Sequence, residues 1–269
     1  MYEKYAEGLP ELPSAKDYRP PILSEFWSTD RVLAGEFYDE RRKVVPYERI
    51  PKKLVQAFIA AEDDRFFDHP GIDLRGTARA AFKTYVVRTR VQGGSTLTQQ
   101  TAKAVLISAE LAKVTEEAVR AETRRRGEAK KLAPEDREAW EILMSKVSAE
   151  MRAAAHKKAT EKTIRRKLRE LILALRLEKE LTKEEILFLY LNNVYLGHHS
   201  YGVQSAAENY FRKDVRELTL AEMATLAGLP KAPSAYSPWV RPAQAKERRN
   251  YVLRRMAEEK MSTEADRKA

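Results

Sequence analysis

The sequence predicts a mainly α protein with a short β-hairpin near its N-terminus and a charged helical insert. Three observations carry that reading. Apolar residues recur at helical spacing through most of the chain after Pro51. Two capping boxes, Thr182-Lys-Glu-Glu185 and Thr219-Leu-Ala-Glu222, each announce a helix start. Glycines number only 10, few for an open α/β enzyme, and no glycine-rich nucleotide fingerprint occurs. Nucleotide binding is therefore not expected.

Residues 1–50 read as a lead-in and linker. The stretch 1–21 is Pro-rich and ends in Tyr18-Arg-Pro-Pro21. Aromatic and β-branched residues then flank Ser28-Thr-Asp-Arg31, which predicts a hairpin within 22–45. Residues 51–269 form the main domain. Its first helix follows Pro51 and carries Leu54, Val55, Phe58, Ile59 and Ala61. Glu62 falls near the end of that helix, with Asp63, Arg65 and His69 packed around it, and Pro70-Gly71 as the breaker. A carboxylate crowded in this way suits acid–base chemistry, although a solvated helix end with ion pairs has the same sequence signature.

Residues 72–92 interleave Arg75, Arg79, Lys83, Arg88 and Arg90 with Leu74, Phe82, Tyr85, Val86 and Val87. That pattern fits a membrane interface or an ordinary surface helix. Gly93-Gly-Ser-Thr96 starts another helix, whose N-terminus, with Lys103 further along, could hold an anion. Residues 109–158 alternate acidic and basic side chains, with a break at Gly127. They predict two charged helices in a hairpin, or one long interrupted helix. Between 161 and 191, Ile164, Leu168, Leu171, Ile172, Leu175 and Leu181 predict a buried stripe, with Glu170 set among them.

The net charge of +10 favours an anionic partner. The absence of cysteine excludes disulfides and thiolate metal sites, and four histidines without His-x-x-x-His spacing argue against a zinc hydrolase. No apolar run of about 18 residues is present, so the chain as written is not expected to span a membrane.

Several of these stretches together resemble the peptidoglycan glycosyltransferase domain of class A penicillin-binding proteins, glycosyltransferase family 51. The first family motif stands as Glu62, Asp63, Phe66, His69 and Gly71. The second stands as Gly93, Ser95, Thr96, Gln99 and Gln100, the third as Arg166, Lys167 and Glu170. A fifth is matched by Arg248, Val252, Leu253 and Met256. The fourth is matched at Lys183, Ile186, Leu187, Tyr190, Leu191 and Asn192, but Phe188 replaces its glutamate. The insert separates Lys103 from Arg166, and Lys162 stands where the family often has a basic residue.

The resemblance implies a lysozyme-like helical lobe and a smaller membrane-associated lobe containing residues 72–92. It implies polymerisation of lipid II into β-1,4-linked glycan, with release of undecaprenyl diphosphate by an inverting displacement. Glu62 would be the base and Glu170 the second carboxylate. Arg65, Lys103 and Lys162 would face the leaving diphosphate, with a divalent cation (Mg or Mn) as helper and no organic cofactor. Ser95, Thr96, Gln99 and Gln100 would position sugar and phosphate oxygens, and Asp63 and His69 would brace the first motif. Phe66, Arg166, Lys167, Tyr190 and Asn192 complete the matched substrate-binding positions. The expected setting is the outer, periplasmic face of the cytoplasmic membrane, with the anchor outside this chain. The insert would be a docking arm for cell-wall synthesis proteins, and nucleic acid is not an expected partner. Three rivals share these features: a lysozyme-like lytic enzyme, a catalytically impaired scaffold, and a basic helical module that binds nucleic acid or acidic lipid.

Overall fold

The computed structural model describes residues 9–10, 18, 20, 24–37, 40–76, 78, 94–129, 136–137 and 163–262. The chain divides into two compact units, residues 13–101 with 174–269 and residues 1–12 with 102–173. Helices dominate both: α1 (Lys52–Glu62), α2 (Leu97–Ala129), α3 (Ile164–Glu180), α4 (Lys183–Asn193), α5 (Val203–Phe211), α6 (Leu220–Gly228) and α7 (Pro242–Glu258).

The larger unit opens with the expected hairpin. β1 (Ser24–Trp27) pairs antiparallel with β2 (Leu33–Phe37), with a register slip between Phe26 and Trp27. The Ser28 hydroxyl closes the turn, donating to the Val32 carbonyl and accepting from its N–H, each at 3.0 Å. A second pairing has no counterpart in the sequence reading: β3 (Arg41–Arg42) runs parallel to β4 (Ser200–Tyr201). Two-residue strands carry no period, so only the folded chain reveals them. Asn192 fastens the same join. Its Oδ1 accepts from Val45 N at 2.8 Å, and its Nδ2 donates to the Val45 and Phe188 carbonyls, each at 3.0 Å. Phe188 itself takes the Tyr18 ring edge-on, centroids 5.8 Å apart.

α1 buries Leu54, Ala57 and Phe58 completely, with Val55, Ile59 and Ala60 nearly so. Each large side chain removed from water contributes about 1.5–3 kcal/mol. Its apolar face packs on α6 and α7, which also pack on each other. Pro51 serves as the N-cap residue. The helix ends at Glu62 rather than at Pro70-Gly71, because Asp63 leaves helical geometry (φ −159°, ψ 75°) and residues 64–70 form turns. Both capping boxes form as expected, on α4 at Thr182 and Glu185 and on α6 at Thr219 and Glu222.

Two further expectations are corrected. The buried row of α3 is Glu170, Leu173, Ala174 and Leu177, whereas Ile164 is 83% and Leu175 44% exposed. Residues 171–175 are all apolar, so spacing alone does not choose between adjacent rows of this helix. Gly127 does not break the insert: α2 is one helix of 33 residues that runs through it. A single interior glycine costs only about 1 kcal/mol, which a long helix absorbs. The remainder of the 109–158 insert, beyond residue 129 and apart from 136–137, lies outside the described residues, as do Lys162 and most of 72–92. Among the described residues no helix is long and apolar enough to cross a membrane.

Candidate active site

Glu62 and Asp63 are consecutive carboxylates that take opposite roles because α1 stops between them. Glu62, the last helical residue, has a side chain only 13% exposed. Its Oε2 accepts from Gln100 Nε2 at 3.1 Å, and its Oε1 lies 3.5 Å from Arg248 Nη2. Burial pushes the Glu62 carboxyl above the ordinary glutamate range. The Gln100 hydrogen bond and the charges of Arg248 and Lys231 pull it part of the way back. The product is a held, desolvated carboxylate with raised basicity, which is what a general base requires.

Asp63 turns outward from the helix and reaches the start of α2. Its Oδ2 accepts from Leu97 N at 2.9 Å, so it supplies an acceptor to a helix N-terminus that has free N–H groups and a favourable dipole. His69 Nε2 lies 3.0 Å from Asp63 Oδ1. Burial raises this carboxyl as well, opposed by the Leu97 N–H and by His69. Thr96 completes the cap: its hydroxyl accepts from Gln99 N at 3.1 Å and donates to the Gly71 carbonyl at 2.6 Å. Gly71 has φ +84°, and a Cβ there would stand 2.8 Å from Glu178 Cγ, so this turn requires glycine.

A second network braces the same turns. Lys183 Nζ donates to the His69 carbonyl at 2.7 Å and to Glu178 Oε1 at 2.8 Å, and it lies 4.4 Å from the Phe66 ring centre. Thr98 Oγ1 donates to Glu178 Oε1 at 2.5 Å. Phe66 is fully buried, so it is a packing residue beneath the site rather than part of its surface. Tyr190 is buried edge-on to Phe58, and burial, with the charges of Glu62 and Asp63, raises its phenol far above the usual range. Its hydroxyl, the Gln99 Oε1 and the His69 Nδ1 are buried polar atoms without a hydrogen-bond partner.

The structure brings Glu62, Asp63, His69, Thr96, Gln99, Gln100 and Tyr190 together in one unit, with Ser95 half-buried beside them in sequence. Arg65 is drawn elsewhere. It pairs with Asp73 at 3.2 Å and lines a pocket of about 520 Å³ with His69, Leu74, Arg75 and Leu175, which Glu62 does not line. Asn192 joins Val45 to α4 through its whole amide. The cations beside Glu62 are instead Arg248 and Lys231. The sequence reading placed Arg248 in a motif without giving it a part in the site, and it missed Lys231 and Glu178.

Lys103, Arg166, Lys167 and Glu170 belong to the other unit. There Glu170 is 3% exposed, its Oε1 3.1 Å from Arg166 Nε and its Oε2 3.3 Å from Lys167 Nζ, while Lys103 is exposed. Among the described residues no group of three or more histidine, aspartate or glutamate side chains is placed to hold a metal ion.

The transglycosylase family profile matches residues 30–131 and 148–257, leaving out 132–147 within the charged insert. The chain belongs to the transglycosylase family. Penicillin-binding protein 1A of Neisseria cinerea is 39% identical to this transglycosylase over 255 residues, 95% of this chain and 26% of that protein. Penicillin-binding protein 1A of Rickettsia felis is 36% identical over 258 residues, again 95% of this chain and 26% of that one. The transglycosylase thus spans little more than a quarter of those relatives' length. The crystal structure of Penicillin-Binding Protein 1A from Haemophilus influenzae aligns with a TM-score of 0.41 at 24% identity, over 92% of this chain and 19% of that one.

Proposed function

We propose that this transglycosylase polymerises lipid II into β-1,4-linked glycan strands and releases undecaprenyl diphosphate. The observation that carries the reading is Glu62, buried, raised in basicity and held at both carboxylate oxygens. Glu62 takes the proton from the acceptor sugar hydroxyl as that oxygen attacks the anomeric carbon of the donor. The bond to the diphosphate breaks from the opposite face, so the α-linked donor gives a β-linked product. Negative charge grows on the leaving diphosphate and calls for cations there. Lys103 and Lys162 remain the candidates, with Arg65 set back in its pair with Asp73. Glu170, between Arg166 and Lys167, would orient the acceptor. Gln99 and Tyr190, each with a buried polar atom that lacks a partner, lie beneath the site and would support it from below. A Mg or Mn ion would travel on the diphosphate oxygens and share their charge.

The proposed setting is the outer face of the cytoplasmic membrane, where lipid II and the growing chain are held. The charged insert would meet cell-wall synthesis proteins there. The test is polymerisation of fluorescent lipid II in detergent by wild type and Glu62→Gln, with products separated on a gel. A ladder from wild type that vanishes in the variant is the expected result. A ladder from both would end the assignment of the base.

A further inference from the structure

α7 grips the end of α1 at two points one heptad apart. Arg255 Nη2 pairs with Asp64 Oδ2 at 2.6 Å, a partly exposed contact. Arg248, seven residues earlier and only 8% exposed, reaches Glu62. The surroundings of Arg248 are those of a fixed group. Its guanidinium carbon lies 4.6 Å from the centre of the Tyr251 ring and 5.8 Å from that of Tyr236. Its Nε donates to the Gly228 carbonyl at 3.3 Å. Gly228 gives the stem room, since a Cβ there would stand 2.9 Å from Arg248 Cγ. Tyr236 also faces Lys231 Nζ at 5.3 Å, so one ring organises both cations that act on Glu62.

We propose that Arg248 is a positioning residue for Glu62: stacked on the two tyrosines and seated over Gly228, it holds the carboxylate ionised and in one orientation for the reaction proposed above. Gln100 donates to one oxygen and Arg248 faces the other at ion-pair range, so the carboxylate is engaged from two helices. A desolvated glutamate drifts toward its neutral form, which accepts no proton. Facing Glu62 are Arg248 from α7, Lys231 from the loop after α6, the Tyr190 phenol from α4, the neutral Gln100 amide from α2, and Asp63 beside it. Arg248 is a cation held within ion-pair range of Glu62, and planar guanidinium stacking is not available to lysine.

The inference rests on Glu62 being the base, so its test has a readout independent of turnover. The Glu62 carboxyl is followed by NMR of carboxyl-labelled protein, assigned against Glu62→Gln, in wild type, Arg248→Gln, Arg248→Lys and Gly228→Ala. Loss of an opposite charge at this distance moves a carboxyl upward by about one pH unit or more. Arg248→Gln is expected to show that rise, and Arg248→Lys, which keeps the charge without the planar guanidinium, to reverse only part of it. Gly228→Ala, which displaces the guanidinium but keeps its charge in the chain, should give an intermediate rise. In lipid II polymerisation the acid limb of kcat should follow the same order, with KM unchanged. A titration that does not move in Arg248→Gln or in Gly228→Ala overturns the inference, whatever the activity. A raised KM with an unmoved acid limb also overturns it, making Arg248 a substrate contact instead. Absence of a glycan ladder from wild type would count against the proposed reaction, and the NMR titration would still decide the role of Arg248.

Discussion

Glu62 and Asp63 differ by one position in the chain and by everything in their surroundings. Asp63 is buried and the Glu62 side chain is 13% exposed, and desolvation raises both carboxyls. Asp63 meets a helix N-terminal N–H and a histidine, at 2.9 and 3.0 Å. Glu62 meets one side-chain amide and a guanidinium at ion-pair range. The contrast separates a carboxylate that holds the fold from one kept available for chemistry. On the reading proposed above, in which Glu62 is the base, it meets side chains alone, while the neighbouring residue is bound to a backbone N–H and supplies the rigidity.

Four substitutions or titrations would break or sharpen that contrast. The largest effect is expected from Glu62→Gln, a loss of about 10²–10⁴-fold or more in lipid II polymerisation. Its melting temperature should be unchanged or higher, because the poorly satisfied charge is gone; a drop of several degrees would make Glu62 structural. Asp63→Ala should do the reverse. It strands the Leu97 N–H and one nitrogen of His69, costing about 1–3 kcal/mol in denaturant unfolding, with activity falling only as the α2 cap loosens. Gly71→Ala strains the turn on the Asp63 side through its positive φ and the Glu178 contact. A loss near 1 kcal/mol or more in chemical denaturation is expected, and a neutral outcome would mean the turn can shift.

The smallest effect is in the pH dependence of stability. The folded Glu62 carboxyl lies above its ordinary value of 4.5, so the folded state binds its proton more tightly than the unfolded chain does. Its ionisation therefore costs stability above the folded pKa. The cost is relieved as pH falls through that value and is gone below 4.5. Wild type and Glu62→Gln should converge in stability on acidification, as read by denaturant midpoints across pH. Divergence would show that the sign is wrong.

The sequence made much of this pair legible. Helical spacing up to Glu62, a hydroxyl after Gly93-Gly94 and two capping boxes are local signals, and each reappears as built structure. What it concealed was non-local. Arg248 and Glu62 are far apart in the chain, and only the packing of α7 on α1 makes them neighbours. Arg65 pairs with Asp73, eight residues on, a contact the sequence reading did not anticipate. The buried row of α3 was hidden because several rows of that helix are apolar. Phe188 looked like a lost glutamate, yet the Tyr18 ring now packs on it.

The Asn192 clasp has a kinetic consequence. It ties Val45 to α4 across 147 residues, and the Lys43 N–H finds Ser205 Oγ across 162. Contacts of such high sequence separation cost loop-closure entropy before they return any stabilisation. The helical contacts around α6 and α7 can form early, while the segment at residues 41–45 must dock late. Replacing Asn192 by Ala should therefore quicken unfolding and leave the refolding rate nearly unchanged; a refolding rate that falls in step with stability would place the clasp in the transition state.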